Sequence, residues 1–290
     1  MQHFRRNDRP DSSEPRTGLA RALSKLGLCS RSQGRIWIQA GRVRVNGGIV
    51  RHPEKRVSTG RDRIEVDGQG VRAKAKVYLM LNKPRGLVTT ASDEHGRATV
   101  FACLNPAPAS GRQSREESPP GRAPEARAAL PRVFPVGRLD KASEGLLLFT
   151  NDTAWAAQIT DSESLLEKTY HVRVDCVADE ALARRLERGV SAAGEFLSAK
   201  RAAVLRHGEK NSWLEIILDE GRNRHIRRLL EALGVRVLRL IRVAIGPLQL
   251  GTLAKGAFRP LAKPEARALA TTGRPPDNGS PETADGRKPI

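Results

Sequence analysis

The chain has 290 residues, with 51 Lys and Arg against 32 Asp and Glu, a formal net charge of +19. That length suggests about two domains, and the basic excess points to a polyanionic partner, which for a cytosolic chain is nucleic acid. No apolar run approaches the ~20 residues of a membrane-spanning helix, residues 1–17 lack the apolar stretch of a secretory signal, and Cys29, Cys103 and Cys176 have neither metal-ligand spacing nor a disulfide framework.

Residues 1–17 read as a disordered arm. From 18 to 70 the pattern is that of a small helix–helix–hairpin module. Leu19, Leu23 and Leu26 recur at helical spacing, and Gly27 can end that helix. Ser30 is a candidate N-cap for a second helix that Gly41 stops. Val43 and Val45 alternate with Arg42 and Arg44, and Asn46-Gly47 is a strong hairpin turn. Ile64 and Val66 alternate again before Asp67-Gly68. Between Gly18 and Asn46 the charged residues are Arg21, Lys25, Arg31, Arg35, Arg42 and Arg44, with no acid among them. A merely solvated face normally mixes signs, so this unmixed run favours phosphate binding.

Gln69–Lys76 reads as a polar linker. Val77–Leu81 is a strand candidate that runs into Asn82-Lys83-Pro84-Arg85-Gly86. Residues from about 106 to 131 are rich in Pro, Ala, Arg, Ser and Glu and read as a flexible insertion. Gly137-Arg138-Leu139-Asp140 then leads to Gly145 and the apolar run Leu146–Phe149. Asp140 sits at a glycine-flanked turn on the edge of a core element. Such an aspartate either caps the turn or is a reactive carboxylate held still.

Lys168–Asp175 alternates, with Tyr170, Val172 and Val174 on one strand face. Tyr170 is one of only two tyrosines; it either packs in the core or offers a ring on which a nucleobase stacks. Asp179 to Gly189 carries a cap at each end and is a helix. Trp213–Leu218 and Val235–Val243 read as strands. Glu220–Arg228 opens a helix with the apolar stripe Ile226, Leu229, Leu230 and Leu233, ended by Gly234. At ~100° per residue, Arg224 and Arg228 fall far from that stripe, while His225 and Arg227 fall on its margins. Arg227 can therefore pair with a semi-buried carboxylate, and Arg224 and Arg228 suit phosphates. From 264 to 290 the chain reads as a disordered tail.

Together these segments resemble the RsuA/RluB-type ribosomal RNA pseudouridine synthases. Arg21-Ala-Leu-Ser-Lys-Leu-Gly, Ser30-Arg31, Ala40-Gly41-Arg42-Val43 and Val45-Asn46-Gly47 resemble an alpha-L RNA-binding domain, named after small-subunit ribosomal protein S-four. Asn82–Thr90 resembles the family's Lys-Pro motif, Gly137–Asp140 with Gly145-Leu-Leu-Leu its catalytic motif, Lys168-Thr169-Tyr170 its tyrosine motif, and Gly221–Arg228 its third motif, followed by Leu240, Arg242 and Ile245-Gly246-Pro247-Leu248. His225 stands where the family usually has glutamine, and Ser143 where it has threonine.

The resemblance implies an α+β fold, with the RNA-binding module at 18–70 and a catalytic domain at 77–262 built on a mostly antiparallel sheet flanked by helices. It implies isomerisation of a uridine to pseudouridine in ribosomal RNA, without metal or other cofactor. Asp140 is then the nucleophile, Tyr170 stacks on the flipped uracil and Arg227 pairs with Asp140. RNA contacts are expected from Arg21, Lys25, Arg31, Arg35, Arg42, Arg44, Lys83, Arg138, Arg222, Arg224 and Arg228. A cytoplasmic monomer acting on ribosomal RNA or an assembling subunit is expected, with no membrane partner. Two rivals stay open: a non-catalytic RNA-binding ribosome-assembly factor, which predicts that Asp140 is dispensable, and an RNA N-glycosidase, which predicts free uracil.

Overall fold

A computed structural model describes residues 16–72, 74–90, 93–104 and 130–272. The chain divides into two compact units, one dominated by residues up to Val77 and one by residues from Tyr78 onward. The arm at 1–17 and the insertion at 106–131 lie almost wholly outside the described residues. The tail expected from residue 264 begins instead as helix Lys263–Thr271, with Pro264 in its first turn and Glu265 accepting from the Ala262 N–H; residues 273–290 lie outside the described residues. A proline suits that position because its missing N–H has no helical partner there.

In the first unit, helices Leu19–Lys25 and Arg31–Gln39 follow the expected spacing. The Ser30 hydroxyl accepts from the Gln33 N–H at 3.1 Å and caps the second helix. The hairpin is part of a larger sheet. Val43–Val45 pairs with Gly48–Ile49 across the Asn46-Gly47 turn and also with Ile64–Val66. Gln69–Gly70, expected in the linker, forms a further strand beside Ile64–Val66. Leu19, Ala22, Leu23, Ile38, Val43 and Val57 are fully buried and form the core.

The second unit is built on a nine-stranded sheet. Its main path runs Arg201–His207, Ser212–Leu218, Lys168–Val174, Val237–Ile245, Glu144–Thr150, Tyr78–Lys83 and Phe258–Pro260. Strand Val237–Ile245 runs antiparallel to Lys168–Val174 and parallel to Glu144–Thr150. Helices Glu180–Arg188 and His225–Ala232 carry the apolar faces Leu182/Ala183/Leu186 and Ile226/Leu229/Leu230. These bury one face of the sheet together with Val172, Val174, Leu214, Ile216 and Leu240. The edge strand Arg201–His207 and the hairpin Val190–Ala192/Glu195–Leu197 have weak apolar alternation and were not legible in the sequence.

Two features lock the register around Gly145. It has φ +102° and lies opposite Arg242; a Cβ there would overlap the Arg242 carbonyl oxygen, so only glycine fits. Beside it, Glu144 is buried at 4% exposure and accepts bidentately from Arg239 and again from Lys255 at 2.7 Å. The Arg239 hydrogen bonds hold its carboxyl down at about 2, against burial, which pushes it up. A depressed carboxylate pKa stabilises the fold above the unfolded value and loses that contribution as pH falls toward 2. Glu144→Gln should therefore lower stability at pH 7 by about 3 kcal/mol. It should also flatten the acid limb below pH ~4.5, which urea unfolding at pH 7 and pH 3 would check.

Candidate active site

A cavity of about 710 Å³ opens in the second unit. Its floor is the sheet face that also carries the core: Lys168, Tyr170, Leu218, Leu240 and Arg242 all line it. Its walls are the turn Gly137–Lys141 and the segment Glu220–Arg227. Asp140, Tyr170 and Arg227, far apart in sequence, thus face one space.

Asp140 is presented by a turn that other segments hold from behind. The turn leaves strand Phe134–Val136 at Gly137, whose φ of +71° lets the chain reverse. Leu139 is buried, and its backbone is clasped by Thr89: the hydroxyl donates to the Leu139 carbonyl at 2.7 Å and accepts from its N–H at 3.3 Å. The Gly86 N–H donates to the Lys141 carbonyl at 2.7 Å. Lys83 lies beneath, fully buried. Its ammonium donates to the carbonyls of Ser143 at 2.8 Å, Asp140 at 3.1 Å and Pro84 at 3.1 Å. Those bonds use all three donors of the group. Burial pushes its pKa down to about 8, with Asp140 opposing.

Lys83, expected to contact RNA, is fully buried and has all three donors taken by backbone carbonyls. Lys83 ends a strand pointing inward, a choice the Lys-Pro dipeptide does not reveal. It holds the backbone of the Asp140 turn and leaves the Asp140 side chain, 34% exposed, toward the cavity.

Arg227 approaches from the helix. Its Nε lies 3.9 Å from Asp140 Oδ2 and its Nη2 donates to the Ala142 carbonyl at 3.3 Å. The first distance is an ion pair and too long for a hydrogen bond. The side chain is 14% exposed; burial lowers its pKa and Asp140 raises it. The margin position read from helical spacing thus reaches the carboxylate. His225, expected on the opposite margin, is buried at 3% exposure. It begins the helix, under the preceding turn, with Nδ1 3.4 Å from Glu220 Oε1. Burial lowers its pKa.

The remaining expected RNA contacts divide in two. Arg138 and Arg224 are exposed on the cavity wall without a carboxylate partner among the described residues. Arg222 and Arg228 are instead engaged with the protein. Arg222 donates to Glu220 at 2.8 Å and the Phe196 carbonyl at 2.7 Å; Arg228 donates to Glu195 at 2.6 Å and the Ala192 carbonyl at 3.0 Å. Both strap the hairpin Val190–Leu197 through Glu195 and the carbonyls of Ala192 and Phe196, which are distant in sequence.

In the first unit, Arg21, Lys25, Arg31 and Arg44 are exposed without a carboxylate partner among the described residues. Arg42 is held bidentately by Asp67 and lies 5.2 Å from the Trp37 ring centre, and Arg35 meets Glu54 at 3.4 Å. The unmixed basic run is thus partly balanced by acids beyond Asn46.

Thr89, Lys168 and Arg242 stand within the quoted motifs, but sequence reasoning gave none of them a site role. Arg242 is 6% exposed and lies opposite Tyr170 in the strand register. Lys168, two residues before Tyr170, has its pKa lowered by burial and then by Arg242. The one available signal was parity: both sit on the strand positions that face the cavity.

The cavity thus brings together a carboxylate on a pinned turn, an arginine beside it and a tyrosine on the sheet floor. Residues 77–232 match the family model described as RNA pseudouridylate synthase, and residues 17–74 match the S4 domain. The chain belongs to the RNA pseudouridylate synthase family and is an RNA pseudouridine synthase, an isomerase. It is 35% identical to an uncharacterized RNA pseudouridine synthase of Aquifex aeolicus (strain VF5), over 85% of this chain and 91% of that one. It is 33% identical to the ribosomal large subunit pseudouridine synthase B of Bacillus subtilis (strain 168), over 88% of this chain and 98% of that one. A solved structure described as a pseudouridylate synthase superposes with a TM-score of 0.57 at 26% identity, covering 87% of this chain and 99% of that one. Among the described residues, no helix is long and apolar enough to cross a membrane.

Proposed function

We propose that this protein isomerises a specific uridine to pseudouridine in ribosomal RNA, in the cytoplasm and as a monomer. The observation that carries the residue assignment is the convergence of Asp140, Tyr170 and Arg227 on one cavity. The ribosomal substrate is supported by the Bacillus subtilis relative, whose name assigns it to the large subunit. The S4 match and the four unpartnered cations support residues 18–70 as the part that holds structured RNA, with 77–262 as the catalytic part.

In this reading the target uridine leaves its stack and enters the cavity, at a cost of a few kcal/mol that is least in a loop or bulge. Asp140 acts as nucleophile, at the anomeric carbon or at carbon 6 of the base. The glycosidic bond breaks, the uracil turns, and carbon 5 rejoins the sugar. Tyr170 stacks on the uracil while it turns. Arg227, 3.9 Å from the carboxylate, holds a positive charge beside Asp140. The Lys83 and Thr89 bonds fix the turn, so the carboxylate needs no reorganisation as the reaction begins.

The test is pseudouridine mapping of ribosomal RNA from cells with and without the protein. One site should vanish in the deletion and return with the wild-type chain but not with Asp140→Asn. Persistence of every site would remove the ribosomal assignment. Binding supplies a separate check. Replacing Arg21, Lys25, Arg31 and Arg44 by Gln should weaken RNA affinity across sequences. The log Kd against log salt slope should fall by roughly 3 if all four meet phosphates. An unchanged slope in filter binding would place the RNA elsewhere.

A further inference from the structure

We infer that Arg242 is a further catalytic residue, whose guanidinium neutralises the negative charge the uracil acquires when it leaves the sugar. The inference rests on the uridine-isomerase reading above and adds a residue to it. Arg242 lines the cavity with Asp140 and Tyr170 but is 6% exposed. In the antiparallel register it lies directly opposite Tyr170, which puts the two Cβ atoms on one sheet face about 5 Å apart. Its Nε donates to the Leu146 carbonyl at 2.7 Å, which fixes the plane of the group. Its Nη2 is buried and has no partner among the described residues.

A guanidinium buried for structure alone would be paired, since an unpaired buried charge is strongly destabilising. Here no described carboxylate pairs with it. The titratable neighbours it acts on are two other cations, Lys168 and Lys83; the acid beside the first is Asp219, and those beside the second are Asp140 and Glu144. The charge is left for something that enters the cavity. A phosphate is the wrong occupant: it stays in the RNA backbone, at the mouth, where Arg138 and Arg224 are exposed. The base that stacks on Tyr170 is the group that reaches the floor.

The chemistry calls for a cation there. When the C1′–N1 bond breaks, its electron pair stays on the ring, and the uracil becomes an anion spread over N1 and the two carbonyl oxygens. On the anomeric-carbon route C5 then displaces the Asp140 carboxylate from C1′ with a ring electron pair, the C5 proton leaves to a base, and N1 takes up a proton. Nothing is oxidised and no atom is gained. A donor at a ring carbonyl binds the neutral base weakly and the anion strongly, so its effect falls on the barrier rather than on RNA affinity.

The test uses the full chain under single-turnover conditions, with RNA carrying either uridine or 5-fluorouridine at the target. Fluorine stabilises the ring anion and reduces the need for Arg242. Arg242→Met should slow the uridine reaction by about 10²–10³-fold with RNA Kd within about twofold. Loss of starting 5-fluorouridine, followed by mass spectrometry of digests, should be slowed at least ~5-fold less. Arg242→Lys should recover part of the rate. If Arg242→Met does not fold, Arg242→Lys is compared on the two RNAs in the same way. Wild-type rates, or equal losses on both RNAs, overturn the inference. Failure of the wild-type chain to form pseudouridine overturns instead the reading on which it rests.

Discussion

Asp140→Asn is expected to reduce single-turnover pseudouridine formation by about 10⁴-fold or more, the scale of removing a nucleophile. RNA affinity should stay within about threefold, because the exposed cations proposed to meet phosphates are untouched. The substitution is close to isosteric, and the turn is held through backbone groups, by Lys83 at the Asp140 carbonyl and by Thr89 at Leu139. Fold and turn geometry should therefore survive, and lost rate reports lost chemistry. Asparagine also leaves Arg227 without its anion, which adds to the loss. Substantial activity in Asp140→Asn would remove the nucleophile assignment and return the carboxylate to a turn-capping role.

Lys83→Met should produce the second large effect, although Lys83 is fully buried behind the turn. The substitution removes three charge-assisted bonds and leaves the carbonyls of Pro84, Asp140 and Ser143 short of a donor. It also removes a buried charge, so the net stability loss is smaller than the bonds suggest, about 2 kcal/mol. The turn is then free to shift by a fraction of an ångström, and kcat should fall at least ~10²-fold with little change in KM.

The pH dependence has a definite sign. The folded pKa of about 8 lies below the ordinary 10.5, so the unfolded chain binds the extra proton between them. Stability from this group therefore rises as pH climbs from 8 toward 10.5. Activity moves the other way, because a neutral amine has one donor fewer for the turn. Wild-type kcat should decline above about pH 8, while kcat of Lys83→Met, already low, should not share that decline. A wild-type rate that stays flat to pH 10 would show that Lys83 keeps its proton or that the turn does not need it.

Much of the frame was legible because it is written in local patterns. Ser30 capping a helix, Asn46-Gly47 turning a hairpin, Asp179 and Gly189 bounding a helix and Tyr170, Val172 and Val174 sharing a strand face all depend on residues within a turn or two of one another. The roles of single cations were less legible. Lys83, Arg222 and Arg228 look like the other basic residues in sequence, yet each is occupied by carbonyls or carboxylates that come from elsewhere in the chain. The surroundings of Arg242 were hidden for the same reason. Nothing near it in sequence says that its strand lies beside Tyr170 or that Gly145 leaves room for its backbone.

The sequence by itself determined the class of the protein. Its four ordered motifs and basic N-terminal segment carry the family identity, because they encode chemistry and local backbone shape directly. Only the tertiary structure decided which charges face the cavity and which hold the walls. A side chain's charge is local information, but its partner depends on sheet register and on segments that meet across roughly a hundred residues. Burial then sets whether an unpaired cation is a solvated surface group or a site waiting for an anion.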